Sequence, residues 1–239
     1  MTAPLAIATC QRLLAVMAHP DDEAYLAAAT LAWRAQAGAE VTVLCLSRGE
    51  AGGDPQTRHD ELQRSCELLG VTSLLQWRWP DGEFATIEPT EAVFGLKKIF
   101  ESTAPDVILS MAADGVYGHH DHLCAHRWVR RAALECGLLP VLWEAVLPPG
   151  WFHPLWRVIK KVRPQLVAKG YSPNDFGAEA NPTDEVVFLS QELRRQKLSA
   201  IAAHRSQLRA AAPQDFLLPG LMEPLLQIER WRSAVRGDD

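Results

Sequence analysis

Leu13-Leu14-Ala15-Val16-Met17-Ala18-His19-Pro20-Asp21-Asp22-Glu23 decides how this chain folds. The apolar run Leu13 to Met17 is short enough to be a buried strand. The Ala/Leu-rich run from Ala24 to Ala37 that follows reads as a helix. One histidine and three carboxylates therefore occupy the turn between a strand end and a helix start. In open α/β sheets, ligands bind in the crevice beyond the carboxyl ends of the strands. Imidazole and carboxylate are ordinary zinc ligands, and a spare carboxylate beside them can handle protons. Helix capping and dipole compensation would account for one or two of the acids. They would not account for the histidine in the same turn.

Outward from this stretch, strands and helices alternate. Gly38 marks a stop, and Val41 to Leu46 reads as a second strand, followed by the glycine-rich loop Ser47 to Gly53. Leu62, Cys66 and Leu69 fall at helical spacing, with Gly70 as the stop. Leu74 to Trp77 is a short third strand closed by Pro80-Asp81-Gly82. Ala92 to Phe100 reads as a helix, Val107 to Ser110 as a fourth strand, Ala125 to Cys136 as a helix and Val141 to Val146 as a fifth strand. The alternation predicts an α/β fold: a Rossmann-like, doubly wound, mostly parallel sheet with helices on both faces. Val186 to Leu189 then resembles a strand and Gln191 to His204 a helix. The tail from Ala211 reads as a terminal turn and helix. No linker separates a second domain, so residues 1–239 are expected to form one.

The rhythm breaks between Leu147 and Thr183. This segment holds Pro148-Pro149-Gly150 and the aromatics Trp151, Phe152 and Trp156. From Leu147 to Tyr171 the only charges are Arg157, Lys160, Lys161, Arg163 and Lys169. Residues 147–183 are therefore an irregular basic and aromatic lid or interface segment. It suits a solvated face with its aromatics packed inward, an oligomer contact, or a lid attracting an anionic substrate group. Membrane-surface contact ranks below these.

The chain has 239 residues, 48% hydrophobic and 22% charged, an ordinary balance for a globular protein with a sizeable core. Its net charge of −5 gives no general affinity for nucleic acid. Met1 to Ile7 lacks a basic region followed by a long apolar run, so a secretory signal is not expected, and no run approaches the roughly 18 apolar residues of a membrane span. The five cysteines include no Cys-x-x-Cys pair, which suits reduced thiols in the cytoplasm.

A second cluster, Asp114-Gly115-Val116-Tyr117-Gly118-His119-His120-Asp121-His122, follows the fourth strand, with His126 four residues later. If the sheet order reverses between the first and fourth strands, the two clusters face each other across the switch point. Three protein ligands and an open position define a catalytic zinc-type site. His19 and Asp22 can converge on one ion, and one histidine of the second cluster completes the set. Asp21 and a second histidine then remain for acid/base work. Such a metal lowers the pKa of bound water from about 16 to about 7, and a positioned proton-transfer group adds about 10²–10⁴-fold. The pattern is hydrolytic. A nucleotide-binding module is disfavoured, because no Gly-x-Gly-x-x-Gly follows the first strand and the acids there repel phosphate. A sensor that only binds metal or sugar would not need the spare Asp21.

Ala18-His19-Pro20-Asp21-Asp22-Glu23 with the later His119-x-Asp121-His122 resembles the PIG-L/LmbE family of metal-dependent N-acetylglucosaminyl deacetylases, which includes enzymes acting on mycothiol and bacillithiol precursors. Ser47-Arg48-Gly49-Glu50-Ala51-Gly52, Arg58-x-x-Glu61, Leu69-Gly70-Val71, Pro80-Asp81-Gly82, and Lys197 followed by His204-Arg205-Ser206-Gln207 extend the likeness from about Leu14 to Gln207. The resemblance implies that His19, Asp22 and His122 ligate the metal and that Asp21 is the general base on its water. His119 would stabilise the oxyanion and help protonate the leaving amine, and Asp121 would orient a histidine. The implied cofactor is Zn²⁺, although Fe²⁺ or another divalent ion also suits this ligand set. His120 stands where the family commonly has proline, leaving the loop less rigid and a second histidine beside His119.

Arg58, Glu50, Asp81 and His204 are the expected substrate-binding residues; Arg58 and Glu61 could instead form an ion pair one helical turn apart. His126 is read as structural and Cys124 as a thiol rather than a ligand. The implied partner is a small amino-sugar conjugate, with no nucleic acid and no membrane span, in a possible homo-oligomer. Hydrolysis of another amide or ester on the same site is the alternative.

Overall fold

The computed structural model describes residues 6–162, 172–208, 211–215 and 222–236. A short helix α1 (Ala6–Thr9) leads into β1 (Arg12–Met17), and a wide π turn, Glu23–Ala27, opens α2 (Ala28–Gln36). Next come β2 (Glu40–Ser47), α3 (Pro55–Leu69), β3 (Ser73–Trp79), α4 (Pro89–Thr103) and β4 (Val107–Ser110). A four-residue turn α5 (Gly115–Gly118) precedes α6 (His120–Glu135), β5 (Leu142–Ala145) and α7 (His153–Val162). The chain ends with β6 (Glu185–Phe188), α8 (Gln191–Ala203), α9 (Arg205–Leu208) and β7 (Ile228–Ser233).

The strands form one sheet in the order β3-β2-β1-β4-β5-β7-β6. β1 to β5 are parallel, and β7 runs antiparallel between β5 and β6. Leu13, Ala15 and Val16 pair with β2, while Leu13, Leu14 and Ala15 also pair with β4. Helices cover both faces of these inner strands, so almost every residue of β1, β2 and β4 is buried. The order reverses between β1 and β4, which places the loops after these two strands on either side of the switch point. This is the doubly wound α/β fold that the alternation predicted.

Local chemistry sets the helix boundaries. Asp54 caps α3 by accepting the Thr57 N–H at 2.7 Å, Pro55 opens the helix, and Gly70 ends it at φ +74°.

Two boundaries depart from the sequence reading. α6 starts at His120 rather than Ala125, with His119 as its N-cap, so the second cluster forms a helix start and not a free loop. The tail after Ala211 contains a strand, β7, where a turn and helix were expected. Ile228-Glu229-Arg230-Trp231-Arg232-Ser233 hides its strand character because its charges are neutralised inside the protein. Glu229 meets Lys197 Nζ at 2.7 Å and accepts the N–H groups of Ala29 and Thr30, while Arg232 pairs with Asp184 at 2.9 Å.

In the irregular segment, Trp151, Phe152 and Trp156 are buried while Arg157, Lys160 and Lys161 are exposed on α7. The inward-packed aromatic face under a solvated basic one is thus what the described part of the segment forms. Arg163 and Lys169 lie outside the described residues. Cys10, Cys45 and Cys66 are buried, and Cys124 and Cys136 half-buried, all unpaired. No helix among the described residues is long and apolar enough to cross a membrane.

Candidate functional site

β1 delivers Ala18 to Glu23 to the switch point, and the chain bends sharply there. Asp21 has φ +113°, a conformation that L-residues rarely adopt. Its N–H is held by Glu23 Oε2 at 3.0 Å, and its carbonyl accepts the Ala24 and Tyr25 N–H groups. The π turn follows at once, a local widening that often marks functional sites. Across the gap, Val116 has φ +70°, a true outlier for a β-branched residue. Asp114 holds it by accepting the Val116 N–H at 2.8 Å. Strain on both sides of one crevice is typical of sites that must present side chains in fixed positions.

The two clusters meet. His19 Nδ1 lies 3.2 Å from His122 Nε2 and 3.7 Å from Asp22 Oδ2, and His122 Nε2 lies 3.3 Å from Asp22 Oδ1. Metal–ligand bonds of about 2.0–2.1 Å in a tetrahedron place ligand atoms roughly 3.3–3.4 Å apart, so this triangle has the dimensions of a metal site. The outward nitrogens are engaged elsewhere. His122 Nδ1 faces the Gly115 carbonyl at 3.1 Å, and His19 Nε2 faces Asp121 and Asp81, both at 3.0 Å. These partners assign the proton to the outer nitrogen of each ring and leave the inner nitrogen free to ligate.

His19 has a second group around it, Asp81 and Asp121 on its Nε2 side. Those carboxylates are already occupied: Asp121 accepts the Gly82 and Phe84 N–H groups, and Asp81 accepts that of Ala51. They are better placed to orient the ring than to ligate. His119 also has a ring nitrogen within 4.8 Å of the His19 and His122 nitrogens.

The field of the site follows from burial and charge. Burial opposes a charge on His19, but Asp121, Asp81 and Asp22 outweigh it and push the pKa up to about 10. Burial would raise Asp22, yet His122 and His19 hold it well below the usual carboxylate range. Without a cation, a proton on His19 balances the acids; a divalent ion can take over that role. Asp21 behaves oppositely. Burial raises its pKa to about 6, against the pull of Arg58. For His119, burial and the neighbouring His122 and His19 lower the pKa to about 3, so the ring is neutral. Its Nδ1 accepts the Asp121 N–H at 3.2 Å, which leaves the proton on Nε2.

The expected substrate-binding residues divide into two pairs. Asp81 and Glu50 stand at the rim, joined where the Asp81 N–H meets Glu50 Oε1 at 3.2 Å. Arg58 and His204 are both buried, and their polar contacts run to the turn that carries Pro20, Asp21 and Glu23. Arg58 donates to the Pro20 carbonyl and to Asp21 Oδ2 at 3.3 Å. It packs so tightly beneath the Gly49 loop that a Cβ at Gly49, where φ is +71°, would sit 2.6 Å from its Nε. His204 Nε2 faces Glu23 Oε1 at 2.7 Å, on the far side of that acid. Nor does Arg58 pair with Glu61, which accepts the Ser206 N–H and hydroxyl at 2.7 and 2.6 Å. His120 is exposed, and His126 turns away to the Met111 carbonyl.

Three contributors were not singled out by sequence reasoning. Ser65 donates to Glu23 Oε1 at 2.6 Å; Phe84 packs its ring 5.8 Å from that of His19; Tyr117 sets its ring 5.7 Å from both His119 and His122. A signal existed for the first. Arg58, Leu62, Ser65 and Leu69 share the buried stripe of α3, where polar residues stand out.

The family model described as PIG-L, GlcNAc-PI de-N-acetylase, matches residues 14–133, half of the chain. A 1D-myo-inositol 2-acetamido-2-deoxy-alpha-D-glucopyranoside deacetylase of Streptomyces scabiei is 30% identical over 95% of this chain and 85% of its own. Among solved structures, an A40926 pseudoaglycone deacetylase superposes with a TM-score of 0.65 at 19% identity, covering 92% of this chain and 96% of its own. The N,N'-diacetylchitobiose deacetylase of Pyrococcus horikoshii gives 0.63 at 19% identity, over 95% and 85%. The chain belongs to the PIG-L family, a family of deacetylases.

Proposed function

We propose that this protein is a zinc-dependent N-deacetylase of the cytoplasm, removing acetyl from the N-acetylglucosamine unit of a small conjugate. The observation that carries the reading is the convergence of His19 Nδ1, His122 Nε2 and Asp22 at metal-ligand spacing, with Asp21 beside them. The relatives' printed substrates, GlcNAc-inositol and diacetylchitobiose, supply the amino-sugar class. Five unpaired cysteines suit a reducing compartment.

His19, Asp22 and His122 are the metal ligands in this reading, and a divalent ion held there supplies Lewis acidity and an acidified water. Asp21 Oδ2 is taken by Arg58, so Oδ1 receives the proton of the attacking water. A pKa raised to about 6 by burial leaves Asp21 ionised at neutral pH and still basic enough for this role. The same group then returns the proton to the departing amine nitrogen, and the products are acetate and a free amino sugar. His119 offers Nε2–H to the developing oxyanion. Because its ring is neutral, it acts as a hydrogen-bond donor, and the amine's proton comes from Asp21. Asp121 orients His19, and Glu50 and Asp81 at the rim contact the sugar hydroxyls.

The test is primary-amine release by metal-loaded protein from free N-acetylglucosamine, its inositol and malate glycosides, and diacetylchitobiose, with Asp21→Asn in parallel. Turnover of at least one conjugate, lost in Asp21→Asn with metal still bound, is the expected result. No turnover across the panel at one metal per chain would overturn the substrate class and turn attention to another amide or ester.

A further inference from the structure

The largest cavity described lies outside the His19 cluster. It is a groove of about 590 Å³ on the open edge of the sheet, between β3 and α3. Its size falls in the range of small-molecule sites. Leu74, Gln76 and Arg78 alternate along β3 and so share one face of the strand. From α3, Gln56 and His59 form the opposite wall at the end where Arg48 enters from the β2 loop. Cys66, Val71 and Leu74 supply an apolar floor at the other end.

The polar end is cationic and unsatisfied. Neither Arg48 nor Arg78 has a hydrogen-bond or ion-pair partner among the described residues. Asp54 is within electrostatic reach of Arg48, but its carboxylate is held by the Thr57 N–H and hydroxyl at 2.7 and 2.9 Å. Glu67, the acid in the wall, stands eleven residues from Gln56, or about 16 Å along the helix. Gln63 and Arg64 already bind it, at 3.2 and 3.1 Å. A relay fixes the wall between the arginines. His59 Nδ1 meets Gln76 Oε1 at 2.6 Å, and Gln76 Nε2 donates to the Ser47 carbonyl at 2.9 Å. The His59 ring is thereby held with Nδ1 turned to Gln76.

We infer that this groove binds a small organic oxyanion, a phosphate or carboxylate carried on an apolar or aromatic body, at a site separate from the His19 cluster. The two guanidinium groups grip the oxyanion, since planar forked donors match phosphate and carboxylate. The body lies along Leu74, Val71 and Cys66. The claim does not depend on the deacetylase reading.

Calorimetric titration of the metal-free protein with phenyl phosphate, benzoate, inorganic phosphate and phenol tests it. Phenyl phosphate is expected to bind with one site per chain and at least tenfold more tightly than inorganic phosphate, with benzoate between them and phenol silent. In Arg48→Gln/Arg78→Gln the dissociation constant should rise at least tenfold. Arg78 is exposed and Arg48 half-buried, and neither has a hydrogen-bond or ion-pair partner among the described residues, so the variant is expected to keep the fold, checked by an unchanged melting temperature. Metal-free Asp21→Asn should bind as the parent does. No saturable binding, unchanged binding in the double variant, or equal affinity for inorganic and phenyl phosphate would each overturn the inference.

Discussion

The two walls of the crevice are built from different materials. On the β1 side, Asp21 is held by a layered set of polar contacts. Arg58 and Glu23 touch it, and Ser65 and His204 in turn hold Glu23. On the β4 side the wall is aromatic. Tyr117 stacks on Phe152 at 6.0 Å, Phe152 meets Phe176 at 4.9 Å, and Trp156 meets Phe176 at 6.4 Å. Hydrogen bonds are directional and fix a group to fractions of an ångström. Aromatic packing is less directional and supplies stability and shape. Asp21, the proposed base, is thus positioned by the polar wall, while the aromatic wall packs behind Tyr117, whose ring lies against His119 and His122.

Substitutions can break that contrast, and the largest effects should come from where the walls meet. In Asp22→Ala and His122→Ala, bound zinc measured by elemental analysis should fall below one-tenth of the parent's and deacetylation to background. Asp21→Asn should retain zinc but lose about 10²–10⁴-fold in kcat; parental turnover would remove Asp21 from the reaction. Phe152→Ala, on the aromatic wall, should cost about 3–5 kcal/mol in denaturant unfolding. Its zinc content should stay unchanged and its kcat stay within tenfold of the parent. A kcat loss as large as that of Asp21→Asn would mean that the aromatic wall also positions the chemistry.

Smaller effects sharpen the picture of the polar wall. Ser65→Ala removes a buried donor to the Glu23 carboxylate and should cost about 1.5–3 kcal/mol in the same unfolding measurement. An unchanged stability would show that His204 suffices to hold Glu23. The smallest effect lies far from the crevice, at Asp184. Burial would raise its pKa, but Arg232, the Asn181 N–H and Arg230 hold it below the ordinary value. A lowered folded pKa contributes stability above the unfolded carboxylate value of about 3.9 and loses it as pH falls through the folded one. The parent should therefore melt higher than Asp184→Asn near neutral pH, and the difference should vanish on acidification. A difference that persists in acid would show that packing, and not the charge pair, is at stake.

The inner half of the sheet was legible because β1, β2 and β4 are short apolar runs bounded by helix stops, and burial on both faces makes such runs continuous. β7 was not legible. Glu229 and Arg230 look like surface residues until Lys197 and Asp184, remote in sequence, arrive to neutralise them. The start of α6 was missed because its first turn is polar, and its N-cap is a histidine, an unusual capping residue. Within the site, the residue types of His19, Asp21, Asp22, His119, Asp121 and His122 announced metal and proton chemistry. The directions of Arg58 and His204 could not be read, because both side chains point inward from elements that also have an outer face.

By itself the sequence determined the kind of chemistry and the order of strands and helices. Side-chain pKa, ligand type and backbone periodicity are local properties, carried by each residue and its neighbours. The tertiary structure alone decided which atoms meet. That His19 presents Nδ1 to Asp22 and His122, and Nε2 to Asp81 and Asp121, depends on the segments after three different strands closing around one ring. Direction, burial and the resulting electrostatic field are collective properties, and they exist only once the chain has folded.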